Sequence, residues 1–240
     1  MVQHPRLLIR HLEIYKAQIF LLVSLVQIFT DASSYINILP LNILQSQNIE
    51  RKMMEIRVEE DNIIELHDAS AKGCTVTLYR LIHKDPHIFN KISLTSFNET
   101  PLHVSALLGH VDFTKALLAL KPQLALDLDF QKRCPLHLAS ANGHIEIVHA
   151  LLSANDDACL VCDQDGRIPL HYAVMRGKDE VVKELILAKP DSIRVVFNGG
   201  ETVLHLCVKY NQLETLKLLV EAVSDDEKFL NSKDHDGGNC

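Results

Sequence analysis

Residues 98–110 read Asn-Glu-Thr-Pro-Leu-His-Val-Ser-Ala-Leu-Leu-Gly-His, and this stretch decides the fold because it returns. Its Leu-His pair, Leu102-His103, is matched by Leu66-His67, Leu136-His137, Leu170-His171 and Leu204-His205. The steps from pair to pair are 36, 34, 34 and 34 residues. A fixed period of that size marks stacked helical units, each unable to bury its apolar face alone. Function is then expected on an exposed surface, not in a buried pocket.

Each unit can be read from its chemistry. Thr100 suits a helix N-cap, since its hydroxyl can accept from the unpaired amides of the first turn, and Pro101 suits the first helical position. Leu102 and Ala106 share one face at i, i+4. Gly109 ends this short helix where a left-handed residue is needed. Gly73, Gly143 and Gly177 fill the same slot, followed by Asn211, the next best residue for that conformation. A second helix follows each time, as in residues 145–152, where Ile145, Val148 and Leu152 form one stripe. Pro86, Pro122 and Pro190 stop three of these second helices. Segments such as Asp163-Gln164-Asp165-Gly166 carry turn chemistry into the next unit.

TPLH at 100–103, GH at 109–110 and the Leu-Leu helix behind them resemble the ankyrin repeat. CPLHLASANGH at 134–144, IPLHYAVMRGK at 168–178 and ETVLHLCVKYNQ at 201–212 repeat the pattern, and ELHDASAKGC at 65–74 is a degenerate first copy. The resemblance implies a mainly α fold: an ankyrin-repeat solenoid of stacked helix-turn-helix units with connecting β-hairpin-like loops. It also implies that the repeated His hydrogen-bonds between neighbouring loops. The expected repeats are 57–91, 92–125, 126–159, 160–193 and 194–231, followed by the start of a truncated sixth. More narrowly, LILAKPDSI and NGGETVLHLCVKYNQLETLKLLVE are similar to land-plant ankyrin proteins that end in a membrane-embedded PGG domain. That likeness implies a role in defence or stress signalling at membranes. Its membrane region has no counterpart in this sequence, so membrane association is expected only through a missing C-terminal region. Cys134 and Ile168 replace the capping Thr and Val203 replaces the Pro. Losing a cap costs about 1 kcal/mol, so repeats three and four are expected to lean more on neighbour packing.

Residues 1–56 do not match the array and read as an N-terminal extension, poorly ordered or a short apolar helix. The run AQIFLLVSLVQIF at 17–29 is thirteen residues long, short of the ~20 a bilayer span needs. Two readings stay open for it: a signal peptide, or part of an upstream extension of a chain that starts at Met53 or Met54. Low order is expected for 1–52 apart from a helix near 12–29. At the other end, Asp236-Gly-Gly-Asn-Cys240 matches the lead-in to a sixth repeat, so the chain is expected to be a fragment of a longer product.

Composition narrows the function. Net charge is −7, and residues 53–240 carry 28 acidic against 19 basic side chains. An acidic body with no basic run longer than two residues argues against nucleic acid. The six cysteines have no paired spacing from repeat to repeat and read as reduced thiols of a cytoplasmic protein, or of the cytosolic face of the plasma membrane in a longer product. Periodic histidines spread along a stack rather than converging on a metal. Cys159-Leu-Val-Cys162 lacks a second pair, Gly199-Gly200 lacks the Lys-Ser/Thr of a phosphate loop, Asp225-Asp-Glu227 does not fit a calcium loop, and no GxSxG nucleophile motif occurs. No cofactor, small-molecule substrate or catalytic residue is expected. The candidate site is a surface for a protein partner, drawn from the slot before each Gly/Asn (Leu108, Asn142, Arg176, Tyr210), its neighbour (Met175, Lys209) and the loop tips (Phe97, Phe130, Gln164, Asn198). Leu107 and Leu108 could equally pack against a neighbouring repeat. A second expectation stands beside this one: the cytosolic portion of a multi-pass membrane signalling or transport protein whose helices lie beyond residue 240.

Overall fold

The computed structural model describes residues 39–92, 99–197, 200–224 and 227–230. They divide into a unit ending at Asp61 and a unit from Asn62 onward, the latter holding the repeats. The expected helix near 12–29 and the pair Asp225-Asp226 lie outside the described residues.

The second unit alternates short and longer helices. First helices are Pro101–Leu108, Pro135–Asn142, Pro169–Met175 and Val203–Lys209. Second helices are Thr75–Lys84, Val111–Leu120, Ile145–Ala154, Asp179–Ala188 and Leu213–Ala222. A 3-10 turn follows three of them, at Pro122–Leu126, Asp156–Leu160 and Pro190–Arg194. Among the described residues there is no strand. The connecting loops are nevertheless hairpin-like: the amides of Asp129 and Asp163 donate to the carbonyls of Arg133 and Arg167, both at 2.9 Å.

The core is a set of columns, each filled by one residue per repeat. Leu66, Leu102, Leu136, Leu170 and Leu204 are buried, as are Leu81, Leu117, Leu151, Leu185 and Leu219 in the second helices. Between them sit small side chains, Ala69, Ser105, Ala139, Ala173 and Cys207, which let neighbouring helices approach closely. The 3-10 turns add Leu124, Ala158 and Ser192, then Ala125, Cys159 and Ile193. Buried hydroxyls are mostly paired: Thr114 donates to Ser105 at 3.0 Å, and Ser105 to the Leu102 carbonyl at 3.2 Å. Ser140 and Ser192 have no hydrogen-bond partner for their hydroxyls.

Residues 39–52 differ from the low order expected for 1–52. A helix runs unbroken from Leu39 to Lys72, so residues 39–52 are helical. The reason is compositional. After Pro40 no Pro or Gly occurs until Gly73, and Leu, Gln, Glu, Arg, Lys and Met dominate the stretch.

Candidate functional site

The histidine of each Leu-His pair is the joint that positions the surface. His103, His137, His171 and His205 occupy the third turn position, and Nδ1 of each accepts the amide of the cap residue three places earlier. The distances are 3.3 Å from Thr100, 3.1 Å from Cys134, 2.9 Å from Ile168 and 3.2 Å from Thr202. With Nδ1 occupied as an acceptor, the proton sits on Nε2. That N–H donates forward to the next repeat: His103 to the Arg133 carbonyl at 2.8 Å, His137 to Arg167 at 3.0 Å and His171 to Val195 at 3.3 Å. Burial holds His103 and His171 at about 4, and lowers His137 likewise. The neutral tautomer is therefore the one the architecture uses.

Cys134 and Ile168 lack a capping hydroxyl, as expected. The amides of His137 and His171, counterparts of the His103 amide that Thr100 caps, donate instead to the Cys134 and Ile168 carbonyls at 3.0 Å, while the imidazole accepts the cap residue's own amide as it does in repeat two. Thr100 adds to the same arrangement without being its only source, its hydroxyl lying 2.8 Å from Nδ1 of His103.

A second set of ties runs the other way. Nε2 of His110 donates to the Ala71 carbonyl at 2.9 Å, and that of His144 to the Leu107 carbonyl at 3.1 Å. Each lies over the glycine that ends the previous first helix. Gly109 adopts φ +82°, and a Cβ there would stand 2.8 Å from the His144 ring. Lys178 and Gln212 take the same place over Gly143 and Gly177. Asn211 fills the last left-handed slot with φ 54°.

The loop tips fold around a buried carboxylate. Asp129 accepts the amides of Gln131 and Arg133, both at 2.8 Å, and its other oxygen binds the Arg133 guanidinium at 2.7 Å. Asp163 accepts the amides of Asp165 and Arg167 at 2.8 Å, and the Tyr172 hydroxyl at 2.7 Å. Burial and this bond push the Tyr172 hydroxyl up to about 12. In the next loop Phe197 replaces the Asp, its ring meeting the edge of His171 at 4.8 Å and the Arg167 guanidinium at 5.5 Å. Tyr172 to Asp163 and Lys209 to Glu201, at 2.7 Å each, tie loop tips to first helices, so both contribute to one face.

On that face Leu108 is 50% exposed, Phe130 61% and Tyr210 42%. Leu107 is exposed to 37%. Gln164 and Arg176 are exposed. Asn142 is exposed as well, with its amide donating to the Leu138 carbonyl at 2.8 Å. Lys209 is exposed and paired with Glu201. Met175 is different: it is half-buried and packs against the core. Phe97 and Asn198 lie outside the described residues. Sequence reasoning missed a further column, Leu128, Cys162 and Val196, exposed two residues ahead of each tip. Its signal was alternation, since Asp129 and Asp163 beside it are buried. Cys159 and Cys162 face different surroundings. Cys159 is buried, which pushes its thiol up to about 11, while Cys162 is exposed.

A family profile described as ankyrin repeats, three copies, matches residues 66–161 and again 150–234, more than half of the chain. The chain belongs to the ankyrin-repeat family. The curated proteins searched contain no match to it. Ankyrin repeats indicate a protein-protein interaction module, which accords with a face built from exposed side chains on a rigid stack. Among the described residues of this ankyrin array, no group of three or more His, Cys, Asp or Glu could hold a metal, and no helix is long and apolar enough to cross a membrane.

Proposed function

We propose that the chain is a non-catalytic adaptor that holds a protein partner along the face formed by its first helices and loop tips. The observation that carries this is the exposed apolar set Leu107, Leu108, Leu128, Phe130, Val196 and Tyr210 on that face. Exposed apolar and aromatic side chains in one region are the usual carriers of interface energy. Arg176, Asn142, Gln164 and Lys209 supply the polar rim. Net charge of −7 favours a protein over nucleic acid. The likeness of LILAKPDSI and its neighbours to the land-plant group supports a setting in stress or defence signalling in the cytoplasm. The same likeness supports a second reading, the cytosolic arm of a membrane protein.

A photo-crosslinking residue at Leu108 or Tyr210 is expected to capture the same protein in extracts of the source tissue. One at Leu187, exposed on a second helix, is expected to leave it uncaptured. Equal capture from all three positions, or from none, would sink the proposal. The intact mass of the native protein in soluble and detergent fractions separates the adaptor from the membrane arm.

A further inference from the structure

The columns that run through the array do not close at its last described unit. Ala106, Ser140 and Val174 fill one place in successive first helices and are fully buried, while Val208, in the same place of repeat five, is 59% exposed. Thr114, Val148 and Val182 are fully buried in the second helices, and their counterpart Leu216 is only half-buried. Val111 and Ile145 are half-buried, whereas Leu213, in their place, is exposed. These places face the following unit: Asp179, which takes the Leu213 place in repeat four, accepts the hydroxyl of Thr215 in repeat five. The left-handed slot behaves alike. Side chains of the following unit, His144, Lys178 and Gln212, stand over Gly109, Gly143 and Gly177, while Asn211 is exposed.

Val208, Leu213 and Leu216 are choices for an interior. A helix position open to water gains nothing from valine, a weaker helix former than Lys, Glu or Gln. Clustered exposed apolar side chains mark a contact site, and a repeat array needs a polar outer face where it stops. The chain past this face keeps the repeat pattern. Glu227–Leu230 follows the second helix of repeat five as Pro190–Arg194 follows that of repeat four, and Phe229 and Leu230 pack against the core. Asp236-Gly237-Gly238-Asn239-Cys240 then follows the pattern of Asn198-Gly199-Gly200-Glu201-Thr202, the lead-in to the first helix of repeat five. Cys240 thereby takes the cap place, which Cys134 holds in repeat three.

We infer that the open end of repeat five is the seat of a sixth ankyrin unit, carried by the same product beyond Cys240. First helices pack on first helices and second on second along the array, so the new pair covers Val208 with one helix and Leu213 and Leu216 with the other. Its turn residue stands over Asn211. With Cys240 at the cap place, its Leu-His pair falls at the second and third positions after that residue, as Leu204-His205 follow Thr202. The seat is a different surface from the binding face, so either can fail without the other.

Two experiments test it. The first is peptide mapping of the native product from its source tissue, where cleavage after Lys233 releases a peptide starting at Asp234. That peptide is expected to run past Cys240 and to carry Leu-His after one intervening residue. A peptide that ends at Cys240, or continues without that pair, would overturn the inference. The second appends a copy of residues 203–224, the repeat-five helix pair, directly after Cys240. The thermal midpoint is expected to rise by about 3 °C or more. Val208→Ser is expected to shift it little in the 240-residue chain and to lower it clearly in the extended one. An unchanged midpoint on extension, or an equal Val208→Ser effect in both chains, would show that the end does not seat such a unit. A 240-residue chain that is dimeric by light scattering, and monomeric as Val208→Asp, would assign the seat to a second copy instead.

Discussion

His137 joins two repeats through opposite edges of one ring, accepting the Cys134 amide at 3.1 Å and donating to the Arg167 carbonyl at 3.0 Å. Both partners are backbone groups, and the Arg167 carbonyl also accepts the Asp163 amide at 2.9 Å. His137→Ala therefore leaves the buried Cys134 amide unpaired and removes one of two bonds at that carbonyl, and is expected to cost about 1–3 kcal/mol. The urea midpoint measures it. A loss under about 1 kcal/mol would mean the ring is a spacer.

The same joints make the array acid-sensitive. An unfolded imidazole titrates near 6.5, while burial holds those of His103 and His171 at about 4. Between these values the unfolded chain takes up protons that the folded chain refuses. Stability is therefore whole above about pH 6.5 and falls as the pH drops toward 4, by up to about 3 kcal/mol for each ring. Urea midpoints at neutral pH and near pH 5 should show the fall, and His103→Gln with His171→Gln should reduce it, the remainder coming from His67 and His137, which burial lowers likewise. A wild-type midpoint constant over that window would refute the account.

Gly109→Ala is expected to destabilise by about 1–3 kcal/mol. The substitution places a Cβ in the left-handed region at φ +82° and 2.8 Å from the His144 ring. It should also loosen the bond from His144 to the Leu107 carbonyl, visible as faster amide exchange at the junction of repeats two and three.

Ser192→Ala is expected to stabilise by about 1 kcal/mol. Its hydroxyl is buried without a partner, and Ala158 fills the same position one repeat earlier. A lower thermal midpoint would imply an ordered water at Ser192.

Arg176→Ala with Tyr210→Ala should weaken the partner while leaving the thermal midpoint nearly unchanged, because both side chains are exposed. Equal loss of folding and binding would remove these residues from the proposed face.

The repeat register was legible because Leu, His and Gly each answer to one physical demand. Leu136 fills a column, His137 pairs two backbone groups, and Gly143 turns left-handed. The local answer to the missing hydroxyls was not legible. Cys134 and Ile168 lack the cap, and only the structure shows the amides of His137 and His171 turning to the carbonyls three residues back at 3.0 Å. The loop surface was only half legible. Phe130 and Gln164 stand out as tip residues, but Leu128 and Cys162 read as ordinary loop residues until the burial of Asp129 and Asp163 fixes which way they face. Met175 was placed on the surface by register alone, although a long, flexible side chain can turn back onto the core.

The histidine ties point forward and the turn ties point back, so each unit offers its neighbours a plug at one end and a socket at the other. Excising residues 135–168, 34 in all, would join Cys134 to Pro169. His103 would keep its acceptor at Arg133, and Gly109 would receive Lys178, the side chain that already covers Gly143. Removing a number of residues that is not a multiple of 34 would leave one fitting without its mate. The length of this protein is thus editable in whole modules, and the reach of its binding face can grow or shrink without redesigning a single joint.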